Sequence, residues 1–233
     1  MMEKSYDYIK DNFERIKEKV SNAAVKSGRN YEDITILGAT KTVDADKINF
    51  AIDSGLKCIG ENRVQELLGK YDSLNLSQTD CHFIGALQSN KIKYILDKVS
   101  LIHSIDNLRQ VKEINRLANN KRVDILIEVN IGNEETKNGI KRGKILEFVE
   151  QISEYPNISL KGLMCIPPIC ESKKENFSYF SQMYKYYIDI SAKKLDNNNM
   201  SILSMGMSDD FEEAILAGSS LVRVGTALFG KRL

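Results

Sequence analysis

The chain has 233 residues, of which 42% are hydrophobic and 28% charged, a balance typical of a folded, water-soluble protein and unlike a disordered or fibrous chain. A chain of this length suits one domain with one core. Lys and Arg number 33 against 32 Asp and Glu, so the net charge of +1 provides no overall field that would draw the molecule to nucleic acid or to an anionic membrane.

Targeting and metal-binding patterns are missing from the sequence. The N-terminal segment is charged within its first turn and lacks the apolar stretch of a signal peptide, and no later run reaches transmembrane length. Four cysteines without a CxxC pair, together with only two histidines, predict neither a disulfide framework nor a metal site. We therefore expect a cytoplasmic monomer, formed by one domain over residues 1–233, with no membrane or nucleic-acid partner.

The first predicted element is an amphipathic helix that ends near Gly28. Apolar residues recur at steps of three and four and so share one face: Tyr6, Ile9, Phe13, Ile16 and Val20. The segment has too few heptads for a sustained coiled coil, so we expect this face to dock on the domain.

Eight short β-rich runs follow, separated by segments with helical periodicity. They begin at Ile34, Lys57, Cys81, Leu101, Val123, Leu160, Ser201 and Ser220. A polar turn, Asn197–Asn199, is expected before the seventh. Eight strands alternating with helices predict an α/β fold, a (β/α)8 TIM barrel with an extra N-terminal helix. An open doubly wound sheet is the alternative, but its GxGxxG fingerprint follows none of the runs.

Polar residues close several of these runs. They are Lys41, Glu61, Asn62, His82, Asn130 and Arg223. Barrel enzymes build their sites from the C-terminal ends of the strands, so this set marks a candidate barrel mouth. Each residue alone also fits ordinary hydrogen bonding at a strand end, which stays the default role for His82 and Asn130.

The last run predicts a phosphate site. Behind Arg223, the backbone N–H groups of Gly225, Thr226 and Ala227 would be the unpaired donors of a helix N-terminus, and Gly225 permits close approach of an anion. Ser208, in the loop before the last run, fits either a phosphate-binding hydroxyl or a helix N-cap. Barrels commonly hold phosphate with the loops after strands seven and eight, which are the loops in question.

Lys41 and this phosphate site become neighbours if the barrel closes, because strand eight then pairs with strand one. Partial desolvation at a barrel mouth favours the neutral lysine amine, which attacks aldehydes. These residues alone leave two ligands open: pyridoxal 5′-phosphate (PLP), or a sugar phosphate that forms a lysine imine.

Seven ordered motifs resemble those of the pyridoxal phosphate homeostasis protein family. They are ATKT (39–42), GENRVQE (60–66), HFIGALQSNK (82–91), EVNIG (128–132), GLMCIPP (162–168), LSMGMSDDFEEAI (203–215) and VRVGTALFGKR (222–232). The similarity runs from about residue 5 to the end of the chain. It implies a barrel related to the N-terminal barrel of alanine racemases, with PLP as the cofactor.

The resemblance also implies a role for each site residue. Lys41 would carry PLP as a Schiff base, Asn62 would lie beside the cofactor ring, and Arg223 would face the pyridine nitrogen. The phosphate would be held by Ser208, Gly225 and Thr226. A guanidinium stays protonated and cannot accept a proton, so the ring nitrogen would remain unprotonated and the cofactor a weak electron sink. Transamination is therefore disfavoured.

The expected function is binding rather than catalysis, with no catalytic residue and no metal ligand assigned. Such a protein would store or buffer PLP and hand it to PLP-requiring acceptor enzymes. A weak PLP-dependent racemase is the alternative. The resembling racemases add a C-terminal β domain that supplies a tyrosine base, and we expect no room for it before Leu233. A Schiff-base sugar-phosphate lyase shares the lysine and phosphate site but not the motifs.

An interaction role is a further alternative, because the Tyr-rich helical segment with Phe177, Phe180, Tyr184 and Tyr187 could dock on another chain. Packing on the barrel is the expectation for that stripe.

Overall fold

The computed structural model describes residues 5–193 and 197–231, and its centre is a closed barrel of parallel strands. The strands are β1 (Thr35–Ala39), β2 (Cys58–Glu61), β3 (Asp80–Phe83), β4 (Leu101–Ile105), β5 (Val123–Asn130), β6 (Ile158–Cys165), β7 (Asn198–Met207) and β8 (Leu221–Val224). Consecutive strands are neighbours, and β8 pairs with β1, so the eight strands close into a barrel. A two-residue strand, Ile140–Lys141, pairs with the end of β5. The predicted barrel is confirmed.

Helices surround the barrel on its outer side. They are α1 (Asp7–Lys26), α2 (Ala45–Asp53), α3 (Val64–Lys70), α4 (Leu108–Leu117), α5 (Ile145–Ser153), α6 (Lys173–Ser191), α7 (Phe211–Leu216) and α8 (Thr226–Phe229). Short 3-10 helices cover Tyr31–Asp33, Tyr71–Ser73, Leu76–Gln78, Ser89–Tyr94 and Arg142–Lys144. None of the helices in the described ranges is long and apolar enough to cross a bilayer.

The N-terminal helix α1 docks on the barrel as its pattern predicts. Ile9, Phe13, Ile16 and Val20 are all buried. The helix lies against α7 and α8, and the Asn12 amide donates to the carbonyl oxygen of Leu228 at 3.0 Å. Because α8 begins at the expected phosphate site, α1 supports that site from outside.

The side chains of each strand alternate between the barrel lumen and the layer of helices. In β1, Leu37 and Ala39 pack inside the barrel with Cys58 of β2. Ile36 and Ile59 belong to the main core between strands and helices. Successive side chains of a strand point to opposite faces, so each strand supplies both layers.

Two local expectations need correction. The polar turn does not extend over Asn197–Asn199, because β7 already begins at Asn198. The Asn198 amide donates to the carbonyl oxygens of Ile190 and Lys193 at the end of α6, which fixes it at the start of a strand. In α6 itself, Phe180 is buried and Tyr187 partly buried. Phe177 and Tyr184 are 40% and 41% exposed, so only part of the aromatic stripe packs on the barrel.

Candidate functional site

Barrel closure places Lys41 beside the start of α8. The register pairs Leu37 with Arg223 and so carries the ends of β1 and β8 to the same place. Lys41, Gly225 and Thr226 line one cavity of about 530 Å³ at this end of the barrel. The structure therefore brings together the lysine and two of the three residues of the expected phosphate site.

The backbone amides at the start of α8 converge on one oxygen atom. Gly225 and Ala227 both donate their N–H groups to Oγ of Ser208, at 3.2 and 3.1 Å. An oxygen placed there receives two donors at the positive end of a helical turn, which is the arrangement that binds an oxyanion.

Ser208 is not the N-cap of the helix that follows it. That position belongs to Asp210, whose carboxylate accepts the N–H of Met207 at 2.5 Å. Of the two roles that the sequence leaves open, the cap of α7 is therefore excluded. The hydroxyl of Ser208 instead lies against the amides of the last loop, seventeen residues away in sequence.

Asn62 lies directly beyond β2 and carries a buried acceptor. Its Oδ1 atom is buried and has no hydrogen-bond donor among the described residues. A buried polar atom without a partner is costly, so this oxygen is available to accept a hydrogen bond from a bound group. The backbone of Gly85 presses on this residue, since a Cβ atom at position 85 would lie 2.0 Å from the Asn62 carbonyl oxygen.

Arg223 is buried in the lumen and held at fixed points. Its Nη1 atom donates to the carbonyl oxygen of Ser204 at 2.8 Å and to Oγ of the same residue at 2.7 Å. Its Nη2 atom donates to the Cys165 carbonyl oxygen at 3.0 Å. Burial lowers the pKa of Arg223 from its usual value, although a guanidinium still stays protonated in proteins.

A chain of polar side chains continues from Arg223 across the lumen. Oγ of Ser204 lies 3.1 Å from Nδ1 of His103, and Nε2 of His103 lies 3.0 Å from Nδ1 of His82. Sγ of Cys58 lies 3.5 Å from Nδ1 of His82. Because β4 and β7 are not neighbouring strands, a contact between their side chains crosses the barrel interior. His82 is therefore a lumen residue and not part of the mouth.

The Arg223 guanidinium can only donate, so the Ser204 hydroxyl accepts at this end of the chain. A hydroxyl has one proton and two lone pairs, so its bond to Nδ1 of His103 forms with either tautomer of the ring. Burial lowers the pKa of His82 to about 4, and the pKa of His103 falls well below its usual value for the same reason. Both rings are neutral at pH 7.

Glu61 does not face the mouth. It is fully buried on the helix side of β2, 2.5 Å from Nζ of Lys70 and 2.6 Å from Oγ1 of Thr40. Successive side chains of a strand point to opposite faces, so Asn62 points into the barrel and Glu61 points toward the helix layer. Asn130 takes its default role, because its amide donates to the carbonyl oxygens of Glu134 and Lys137 and organises the loop after β5.

Glu128 is a residue that the sequence reasoning missed. Burial raises the pKa of this carboxyl to about 7, Asp106 adds to the rise, and Arg223 opposes it. Glu128 shares the alternation of Leu126, which packs in the lumen, so it points inward from β5. Glu128 lies two residues after Leu126, as the first residue of the EVNIG run, so counting alternate residues along this strand could have identified it.

Most of the cysteines are buried, and the described residues form no candidate metal site. Cys58, Cys81 and Cys165 are buried free thiols, and Cys170 is partly exposed. Across residues 5–193 and 197–231, no group of three or more His, Cys, Asp or Glu side chains could hold a metal ion.

Comparisons with known proteins agree with the fold and the motifs. The family model of the alanine racemase N-terminal domain matches residues 5–232. The pyridoxal phosphate homeostasis protein of Aquifex aeolicus is 43% identical over 94% of this chain and 96% of its own length. The protein of that name from Escherichia coli is 38% identical over 96% and 97%.

A solved structure gives the same relation. PipY of Synechococcus elongatus, determined with PLP bound, superposes with a TM-score of 0.78 at 28% identity, covering 85% of this chain and 93% of its own. Sequence and fold thus agree over nearly the whole length. The chain belongs to the pyridoxal phosphate homeostasis protein family, within the wider family of the alanine racemase N-terminal domain.

Proposed function

We propose that the protein binds PLP at this barrel mouth as a Schiff base on Lys41 and serves PLP homeostasis without turnover of its own. The observation that carries the proposal is the shared cavity of Lys41, Gly225 and Thr226, next to amides that already converge on one oxygen. The names of the relatives and the PLP in PipY support it. PLP-requiring enzymes are the acceptors that we expect.

The residues present fit this cofactor. Ser208, Gly225 and Thr226 would hold its phosphate, and the buried Oδ1 of Asn62 offers an acceptor beside the ring. When bound, the cofactor supplies an aldehyde and an electron-accepting ring. Lys41 would hold the cofactor covalently, because a lysine amine condenses with an aldehyde to a C=N bond and the aldehyde oxygen is released as water with the two amine protons.

Arg223 favours storage over catalysis. It is fixed by the carbonyl oxygens of Ser204 and Cys165, and it can donate but not accept a proton. Arg223 would therefore leave a facing pyridine nitrogen unprotonated, which weakens the ring as an electron sink. Strong carbanion chemistry is thereby disfavoured.

The proposal is tested by locating the modified lysine. Purified protein is mixed with PLP, the visible imine band is recorded, borohydride reduces the bond, and mass spectrometry maps the product. We expect modification at Lys41, loss of the band in Lys41→Ala, and no change in Lys47→Ala, which removes another lysine of the same cavity. An unchanged band in folded Lys41→Ala protein would contradict the assignment.

A weak racemase is the second candidate, and Glu128 is the observation that favours it. A carboxyl with a pKa of about 7 can exchange a proton at neutral pH, as a general acid or base must. The PLP-loaded protein is incubated with a panel of L-amino acids and analysed by chiral chromatography. Racemisation that disappears in Glu128→Gln would support the enzyme, and the lack of D-isomers with the wild type would reject it.

A further inference from the structure

The turn that carries Lys41 is held from behind by a buried ammonium group. This turn, residues 40–43, is called the Lys41 turn below. Nζ of Lys70, at the end of α3, donates to the carbonyl oxygen of Thr40 at 2.9 Å and to that of Val43 at 3.2 Å. These two carbonyl groups flank Lys41 on both sides. One side chain therefore ties the beginning of the turn to its end.

Two carboxylates fix this cation in place. Nζ of Lys70 lies 2.5 Å from Oε1 of Glu61 and 3.3 Å from Oε1 of Glu66. The side chains of Lys70 and Glu61 are 11% and 0% exposed, so little water screens the pair. We call these three residues the Lys70 cluster. An ammonium has three protons, and here they face four acceptors, two of them in the Lys41 turn.

The carboxylates also bind the Lys41 turn directly. Glu66 accepts the backbone N–H of Thr42, and Glu61 accepts the hydroxyl of Thr40. Thr42 has a φ of +60°, a left-handed conformation that a β-branched residue rarely adopts without support from its surroundings. The bond to Glu66 is such a support. Thr40, Thr42 and Val43 are thus each bonded to the cluster.

None of Glu61, Glu66 and Lys70 lines the cavity. Thr40 faces the helix layer with Glu61, whereas Ala39 and Lys41 line the cavity. Nζ of Lys70 reaches the turn through backbone oxygens only. The contacts of the cluster therefore act on Lys41 through the backbone of the turn.

We propose that the Lys70 cluster positions Lys41, so that its amine meets the aldehyde of a cofactor already held by its phosphate. This inference rests on the proposed function for the choice of Lys41 as the imine-forming residue. Lys70, Glu61 and Glu66 are positioning residues, since they bond to the turn and not to the cavity. Their loss should impair bond formation at Lys41 more than phosphate-dependent binding.

The two kinds of binding can be measured separately. Pyridoxine 5′-phosphate has the ring and the phosphate but no aldehyde, so its affinity reports binding without the imine. In Lys70→Met we expect the imine equilibrium constant with PLP to fall by about tenfold or more, as for the loss of a charged hydrogen bond. The pH midpoint of the imine band should shift as well. The affinity for pyridoxine 5′-phosphate should stay within about twofold.

Control variants separate positioning from general stability. Lys144→Met removes another Lys–Glu pair, which is 69% and 56% exposed on the surface, and should leave both ligands unchanged. Lys70→Met leaves Glu61 buried without its cation, so it could fail to fold. The double variant Glu61→Gln/Lys70→Met removes both charges, and Glu66→Ala removes only the partner of Thr42. Equal losses for both ligands in the folded variants, or no loss of the imine, would overturn the proposal.

Amide exchange tests the Lys41 turn without any ligand. The N–H of Thr42 should exchange about tenfold faster or more in Lys70→Met and in Glu66→Ala, while the amides of β1 keep their protection. Wild-type protein that forms no imine at Lys41 would refute the proposed function. Unchanged exchange of Thr42 would refute the positioning role, so the two failures are distinguishable.

Discussion

The hydroxyl of Ser208 is the side-chain group that joins the loops after β7 and β8. It accepts the N–H groups of Gly225 and Ala227, and a phosphate oxygen would compete for the same donors. On cofactor binding the hydroxyl can turn and donate to the phosphate. A hydrogen bond to a charged group contributes about 1.5 to 3 kcal/mol, which corresponds to roughly tenfold or more in affinity.

Ser208→Ala should therefore weaken binding of PLP and of pyridoxine 5′-phosphate by about tenfold each. Calorimetric titration of both ligands measures it. Ser201→Ala, at an exposed position near the other end of the barrel, is the matched control and should change neither affinity. A loss confined to PLP would show that Ser208 acts on the imine and not on the phosphate.

Glu128 should make the stability of the cofactor-free protein depend on pH. Its pKa is raised from 4.5 to about 7 in the folded state, so the folded protein holds this proton more tightly than the unfolded chain does. The stabilisation is complete below about pH 4.5 and is lost as the pH rises through 7. The loss amounts to roughly 2 to 3 kcal/mol, because one pKa unit is about 1.4 kcal/mol and Glu128 is partly exposed.

Glu128→Gln removes the ionisation while it keeps the shape. Urea unfolding at pH 5 and pH 8 should show that the variant gains stability over the wild type mainly at pH 8. An equal difference at both pH values would mean that Glu128 ionises normally in the folded protein.

Part of the candidate site could be predicted from the sequence, and the residues that were misplaced have a physical explanation. That Lys41 and Thr226 line one cavity could be predicted, because each lies two residues beyond a strand and barrel closure makes the two strands neighbours. Glu61 was misplaced because its orientation requires counting inward and outward positions along β2. His82 was misplaced because its depth depends on the stagger of the strands, which no local pattern reveals.

Elements were more predictable than their boundaries. Periodicity identified α1 and all eight barrel strands, since burial of one face produces it. The start of β7 was missed because Asn disfavours strands, and the bonds that hold Asn198 come from α6. Lys70 was overlooked because a lysine on a short helix is usually solvated, and its carbonyl partners lie about thirty residues earlier.

The loop after β3 is predicted to control Asn62 through backbone contact. A Cβ atom at position 85 would lie 2.0 Å from the carbonyl oxygen of Asn62, so Gly85→Ala must displace that backbone. Overpacking of this kind costs about 1 to 3 kcal/mol in the free energy of unfolding. We expect that loss together with weaker PLP binding. Thermal unfolding and titration with PLP measure the two effects.

Gly69→Ala is the control for this substitution. It lies in α3 with nothing near the added Cβ atom, so it should raise stability by about 0.5 to 1 kcal/mol and leave PLP binding unchanged. Normal PLP binding in Gly85→Ala would show that Asn62 tolerates the shift or does not contact the cofactor.

The barrel as a unit joins two polar systems that lie on opposite sides of its wall. Inside, Arg223 and His103 are connected through Ser204 across the lumen. Outside, Glu61 and Lys70 support the Lys41 turn. Lys41, which lines the cavity, and Arg223, which lies in the lumen, are therefore each held from a different layer.

The histidine pair inside the barrel should make the protein sensitive to acid. Burial lowers the pKa of His82 from 6.5 to about 4, and that of His103 falls in the same direction. As the pH falls below 6.5, the two histidines bind protons in the unfolded chain before they do so in the folded barrel. The corresponding stability is present above pH 6.5 and is lost as the pH falls through 4, at about 1.4 kcal/mol per pH unit for each histidine.

Glu128 acts in the opposite direction over part of this range, so the wild-type profile alone cannot isolate the histidines. We therefore compare the wild type with His82→Gln/His103→Gln, in which Glu128 is retained. Unfolding in urea from pH 4.5 to 7 should give a difference in stability that is largest at pH 7 and shrinks as the pH falls. Parallel profiles would mean that the two rings take up protons in the folded barrel as readily as in the unfolded chain, and the lowered pKa of the pair would then be wrong.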